Sequence, residues 1–191
     1  MCPSSNDYSK ISGIVYLIGM PGVGKLSIAK KLNETLHWKL LDNHTIINCV
    51  TSVLDRSDQN WSSIVMNMRK TLFTGLHKIS TDNHQLIVTD AIASCDDDIF
   101  QNIKDLSTAW RCNLYIIRLS CSESENIFRL TQEGRQSNHK LVDKDLLVHI
   151  RNNYHLFQPQ DYELCIDLET SDLTIQESAD HILNWLESFN G

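Results

Sequence analysis

The stretch that most constrains this sequence is a turn of glycines set between an apolar segment and a periodic one. Gly13-Ile14-Val15-Tyr16-Leu17-Ile18 is short, apolar and rich in β-branched residues. That pattern predicts a strand buried on both faces. The turn Gly19-Met20-Pro21-Gly22-Val23-Gly24 follows, and from Lys25 to Leu36 apolar residues fall at 26, 28, 29, 32 and 36, a helical spacing. Strand, glycine turn and lysine-headed helix together make a cradle for an anion. Glycines let successive backbone N–H groups curl inward. The helix adds its unsatisfied N–H groups and the positive end of its dipole. Lys25 would neutralise the outer phosphates of a nucleotide. The spacing Gly-x4-Gly-Lys arises by accident only about 0.01 times in a chain of this composition, before the strand and helix context is required.

The residue after that lysine departs from the pattern. A Ser or Thr there binds Mg²⁺ through its hydroxyl. Here it is Leu26, followed by Ser27. One helical step turns a side chain by about 100°, so Ser27 does not simply replace the missing ligand. Ser27 would instead reach the α-phosphate. Mg²⁺ would then be held by phosphates, waters and carboxylates, or held weakly; it commonly keeps several waters.

Further along, strand and helix patterns alternate. Strands are predicted at 38–41 ending on Asp42, at 85–89 ending on Asp90, at 114–119 and at 162–166. Helices are predicted at 43–55, 61–80, from about 98 to Arg111, 122–133, 143–156 and 174–189. Ile64, Met68, Leu72 and Leu76 recur every four residues in the second of these, and Met66 and Met68 read as core. Asp96, Asp97 and Asp98 suit a helix N-terminus, and Ser122 with Glu125 has capping-box spacing. The last helix carries Ile175, Ala179, Ile182, Leu183 and Leu186 on one side. Such alternation argues for an α/β fold with a parallel sheet and helices on both faces. The 191 residues fit one domain, at 13–191, after a flexible segment at 1–12.

Composition narrows the function. Seventeen basic against twenty-four acidic residues leave a net charge of −7. Such a chain is repelled by phosphate backbones and anionic lipid, so neither nucleic acid nor membrane is expected as a partner. No apolar run approaches the roughly 20 residues of a membrane span. The cysteines at 2, 49, 95, 112, 121 and 165 form no CxxC pair and no zinc spacing. A reduced, cytoplasmic protein is the expectation. No Asn/Thr-Lys-x-Asp run is present to read guanine.

From Gly19–Ser27, Leu41-Asp42, Leu86–Asp90, the arginine-bearing segment 129–140 and Ile166-Asp167, the chain resembles the small P-loop kinases. That group holds shikimate kinase, gluconate kinase, chloramphenicol phosphotransferase and the nucleoside-monophosphate kinases. The resemblance covers about residues 13–189. It implies a five-stranded parallel sheet of order 2-3-1-4-5, ATP with Mg²⁺, a small-molecule acceptor, a monomer or homodimer, and a mobile lid. Residues 43–84 would be the insertion that covers the acceptor, and 134–142 the lid. It implies phosphate contacts from Gly19, Met20, Pro21, Gly22, Val23, Gly24, Lys25, Leu26 and Ser27, and an adenine border at Thr170 to Asp172.

Ligands in open parallel sheets bind beyond the carboxyl ends of the strands. Asp42 is therefore the candidate to orient or deprotonate an acceptor hydroxyl; the competing role is helix N-cap. His44 is a weaker candidate for substrate contact. Asp90 is the candidate metal carboxylate, through water; the competing role is a turn residue. Arg129 and Arg135, with Lys140 behind them, would clamp the transferring phosphoryl from the lid, with Gly134 as hinge. Arg118, inside an apolar strand, is expected to pair with an acidic residue at a helix end. In the 43–84 insertion Arg56 and Arg69 are the arginines, few enough to favour a neutral or singly charged acceptor, and Arg69 is expected on a solvated face. An ATP-dependent phosphotransferase is the leading expectation. A regulatory ATP-binding module without kinase activity competes with it, on the strength of Leu26.

Overall fold

The computed structural model describes Tyr8 and residues 11–79, 84–91, 98–131, 148 and 162–189. Its centre is β1 (Gly13–Gly19), buried at every position. Four more strands lie parallel to it: β2 (Lys39–Asp42), β3 (Gln85–Thr89), β4 (Leu114–Ser120) and β5 (Cys165–Glu169), in the order β2-β3-β1-β4-β5. The helices are α1 (Lys25–Leu36), α2 (Asn43–Thr51), α3 (Trp61–Leu76), α4 (Asp98–Trp110), α5 (Glu123–Thr131) and α6 (Ile175–Glu187).

Side chains of a strand alternate between its faces, so β1 serves two cores. Val15 and Leu17 pack with Ile28, Leu32, Ile182 and Leu186 of α1 and α6. Ile14, Tyr16 and Ile18 pack with Phe73, Phe100, Ile103 and Leu106 of α3 and α4. A third, small cluster of Ile46, Val50 and Val65 joins α2 to α3. Ile11 is fully buried and its carbonyl accepts a bond from the Gln85 side chain, so the packed chain reaches back at least to Ile11.

Several expectations are corrected. α3 buries Val65, Arg69 and Phe73, one residue out of step with the Ile64-Met68-Leu72 stripe, which is more than a third exposed. Met66 and Met68 are likewise exposed rather than core. The apolar spacing is real, but Phe73 and the charged Arg69 take the core side because each finds a partner there. β5 starts at Cys165, three residues later than predicted, where pairing with Ile116 begins. α2 stops at Thr51 and α3 at Leu76. Ile175 is exposed, while Ser178 takes a buried place on α6. Arg118 pairs with Asp167 on the neighbouring strand, not with a helix end. Ser122 does cap α5, accepting from the Glu125 amide at 3.2 Å. The predicted helix at 143–156 and the 134–142 segment fall outside the described residues, Val148 apart.

Candidate phosphate-transfer site

The turn after β1 is shaped by glycine and locked by a buried asparagine. Gly22 has φ +94°, a conformation open to glycine. A Cβ there would lie 2.3 Å from the Asn126 side-chain nitrogen. That nitrogen donates to the Pro21 carbonyl at 2.8 Å, and Asn126 is fully buried. Sequence reading missed Asn126; its signal is a polar residue on the inward face of an amphipathic helix. Val23 is buried beneath the turn. The Lys25 ammonium spans the loop, donating to the carbonyls of Gly19 (2.7 Å) and Met20 (2.8 Å).

A cleft of about 210 Å³ opens in front of this turn. Pro21, Gly22, Gly24, Lys25, Leu26 and Ser27 form one wall. Asp42, Asn43, His44 and Ile47 from the end of β2 and the start of α2 form another, with Thr89, Ala91 and Arg56 completing it. Asp42 occupies the N-cap position of α2 but its side chain makes no capping bond. Its Oδ1 instead accepts from the Thr89 hydroxyl at 2.6 Å, and that hydroxyl accepts from the Asn43 amide at 3.4 Å. The carboxylate is thus pinned at the strand ends rather than spent on the helix.

Asp90 is 5% exposed and Arg69 6%. They form an ion pair at 3.2 Å; Arg69 also donates to the Asn43 side chain, and Asp90 accepts from the Ala91 amide at 2.7 Å. Arg69 is therefore interior, against the expectation of a solvated face. A smaller, apolar-walled pocket of about 20 Å³ adjoins them and shares Asp42, Asn43 and Thr89 with the cleft.

Arg129 sits behind the turn. It donates to Glu125 (2.7 Å), to the Val23 carbonyl (3.3 Å), and to the hydroxyl (3.0 Å) and carbonyl (2.7 Å) of Thr170. Thr170 is buried and donates to the Ser120 carbonyl at 2.9 Å. Arg129 and Thr170 thus join the turn to the loop after β5, and neither lines the cleft. Arg135 lies outside the described residues. Among the described residues no cluster of three or more His, Cys, Asp or Glu could hold a metal ion, and no helix is long and apolar enough to cross a membrane.

The fold finds counterparts among solved structures. A putative kinase from Chloroflexus aurantiacus J-10-fl aligns with a TM-score of 0.68 at 17% identity, over 93% of this chain and 97% of that one. The chain has the fold of the small P-loop kinases. A gluconokinase from Sinorhizobium meliloti 1021 aligns at 0.60 and 13% identity, over 93% of each chain. Shikimate kinase from Acinetobacter baumannii, solved with shikimate, aligns at 0.59 and 16%, over 94% of this chain and 96% of that one. No protein-family model matches the sequence, and no curated protein matches it. Within the P-loop kinase fold, the glycine turn and the end of β2 are the two walls of one cleft.

Proposed function

We propose that the protein is an ATP-dependent phosphotransferase that moves the γ-phosphoryl of ATP to a hydroxyl of a small molecule. The observation that carries this reading is the shared cleft. It sets Gly22, Gly24, Lys25 and Ser27 across from the pinned carboxylate of Asp42. Phosphoryl transfer needs mostly positioning and charge neutralisation, and this arrangement offers both.

In the proposed reaction the turn amides and Lys25 hold the phosphates, and Ser27 takes the α-phosphate. Asp42 orients the acceptor hydroxyl and accepts its proton. The hydroxyl oxygen bonds to the γ-phosphorus while the bond to the β,γ-bridging oxygen breaks, and ADP leaves. Mg²⁺ bound with ATP would screen charge on the β- and γ-phosphates. Leu26 has no side-chain oxygen for it, so Asp42, water and the phosphates themselves would hold the ion. Asp90, already paired with Arg69, serves better as that arginine's anchor than as a water-mediated metal carboxylate. Arg129 acts by bracing the turn against Thr170 at the proposed adenine border; the clamp from Arg135 stays part of the proposal.

The test is ADP release from Mg·ATP with pooled hydroxyl metabolites and nucleoside monophosphates. Stimulation by one pool supports the reading. Tight ATP binding with no stimulated release refutes it in favour of an ATP-binding regulatory module. Leu26 is what favours that second reading, and indifference of ATP affinity to Mg²⁺ would be its mark.

A further inference from the structure

Thr89 ends β3 directly across from Asp42 of β2 in the parallel pairing. Paired positions of neighbouring strands put their side chains on the same face of the sheet. Thr89 is 2% exposed, yet it lines the cleft beside Asp42. A threonine hydroxyl has one proton to give and two lone pairs to receive with. The Asn43 backbone N–H donates to this oxygen at 3.4 Å. The single proton goes to Oδ1 of Asp42 at 2.6 Å. Asn43 is itself held, because its side-chain oxygen accepts from Arg69, which pairs with the buried Asp90. The direction of the hydroxyl is therefore set from the interior, and a β-branched side chain adds its own stiffness about χ1.

The two oxygens of the Asp42 carboxylate are thus treated differently. Asp42 stands at the N-cap of α2, where a carboxylate ordinarily accepts from the helix amides, yet it makes no capping bond. Oδ1 is taken by Thr89. Among the described residues nothing hydrogen-bonds to Oδ2. A general base needs a fixed lone pair within hydrogen-bond reach of the proton it takes. A carboxylate free to turn about χ2 would offer either oxygen at many angles; one tied at Oδ1 offers the other at few.

We propose that Thr89 is a positioning residue, whose hydroxyl fixes Oδ1 of Asp42 so that Oδ2 is the oxygen presented to the acceptor hydroxyl. The proposal rests on the reading of the cleft as a phosphate-transfer site. In the transfer the acceptor proton passes to Oδ2 as the acceptor oxygen bonds to the γ-phosphorus. The bond from phosphorus to the β,γ-bridging oxygen breaks, and ADP leaves with that electron pair. The Thr89 proton stays on its own oxygen throughout, and Asp42 returns the acceptor's proton to water once the products have left.

Thr89→Val keeps the shape and removes the hydroxyl, while Thr89→Ser keeps the hydroxyl. Both are compared with wild type, Asp42→Asn and the double variant Thr89→Val/Asp42→Asn, with melting curves to show that each is folded. ADP release is measured at saturating Mg·ATP against the single compound that carries the stimulation in the wild type, and calorimetry follows Mg·ADP. Thr89→Val is expected to lower kcat by roughly tenfold or more, with the acceptor KM and the Mg·ADP affinity within about twofold. Thr89→Ser should return kcat to within about threefold of wild type, because it restores the donor. With Asp42→Asn already in place, Thr89→Val should cost no more than about a further twofold, since no carboxylate is left to aim. A kcat unmoved in Thr89→Val overturns the proposal, and so does a loss that falls on KM alone or that multiplies with the loss of Asp42→Asn. If Thr89→Val melts below the assay temperature, Thr89→Ala takes its place in the same cycle with the same expected outcomes. Wild-type protein that binds Mg·ATP and is stimulated by no pool overturns the phosphotransferase reading, and the role of Thr89 falls with it.

Discussion

Replacing Asp90 with alanine strips the buried guanidinium of Arg69 of its counter-charge. Both side chains are at least nine-tenths buried. The guanidinium keeps its bond to Asn43, while its Nε has no partner. Removing one member of a buried pair costs about 3–5 kcal/mol, because the survivor is left charged and unpaired. A domain of this size has about 5–15 kcal/mol in hand, so the variant still folds but is visibly weakened. With a urea m-value of about 2 kcal/mol/M, the denaturation midpoint falls by roughly 2 M. The double variant Arg69→Met/Asp90→Ala removes both charges and recovers most of that loss. Urea titration followed by circular dichroism reads all three proteins. A loss under about 1 kcal/mol in Asp90→Ala, or a double variant as weak as the sum of its parts, would refute the account of a coupled interior pair. The same variant tests the metal role. Mg²⁺ dependence of ATP binding should survive in Asp90→Ala; its disappearance would return Asp90 to the metal.

Gly22→Ala is expected to cost about 2–4 kcal/mol, from a strained positive φ and from the broken Asn126–Pro21 bond, and Asn126→Ala in the same chain should relieve part of it in a urea double-mutant cycle. Lys25→Ala should remove most ATP affinity by calorimetry, and retained affinity would mean the turn has another role. Leu26→Ser should tighten Mg·ATP but not metal-free ATP if the helix's first turn lacks a metal oxygen. Burial pushes the Cys112 thiol up to about 11. Thiol titration at pH 8 should therefore label the exposed Cys49 well before Cys112, whose thiolate fraction there is about a thousandth; the reverse order would contradict the packing. The Ser171 hydroxyl and amide hold the Glu169 carboxyl below its usual value of 4.5. A lowered folded-state pKa gives stability that is present above pH 4.5 and lost as pH falls through the folded value. Ser171→Ala should therefore weaken the protein slightly at pH 7 and not at low pH, read as melting temperature.

The glycine turn, the proposed nucleotide half of the site, was legible because its chemistry is local. Gly19 to Ser27 are consecutive, and backbone conformation plus one lysine define the cradle. The strand ends Asp42 and Asp90 could be placed because β2 and β3 carry short apolar runs that stop on an acid. What separates the two acids was not legible: Thr89 meets Asp42 and Arg69 meets Asp90 only once α3 is laid on the sheet. The α3 stripe misled for the same reason. Spacing finds a face of a helix, but a charged residue one step away takes the inner side when a buried carboxylate waits for it. Asn126 shows a further gap, since a helical asparagine has no periodic signature. Arg129 was expected to clamp the transferring phosphoryl from the lid; it lies on α5 with Val23 and Thr170 as partners, 106 and 41 positions away, and those partners could come only from the fold.

The small core of Ile46, Val50 and Val65 stands apart from the two cores that flank the sheet. The start of α2, one wall of the cleft, is backed by that small core, while the glycine turn continues directly from the central strand. Substitutions in that small core can accumulate without disturbing Lys25 or the glycine turn. Under the proposed phosphotransferase reading, such a chain is free over evolutionary time to change its acceptor while the glycine turn stays unchanged.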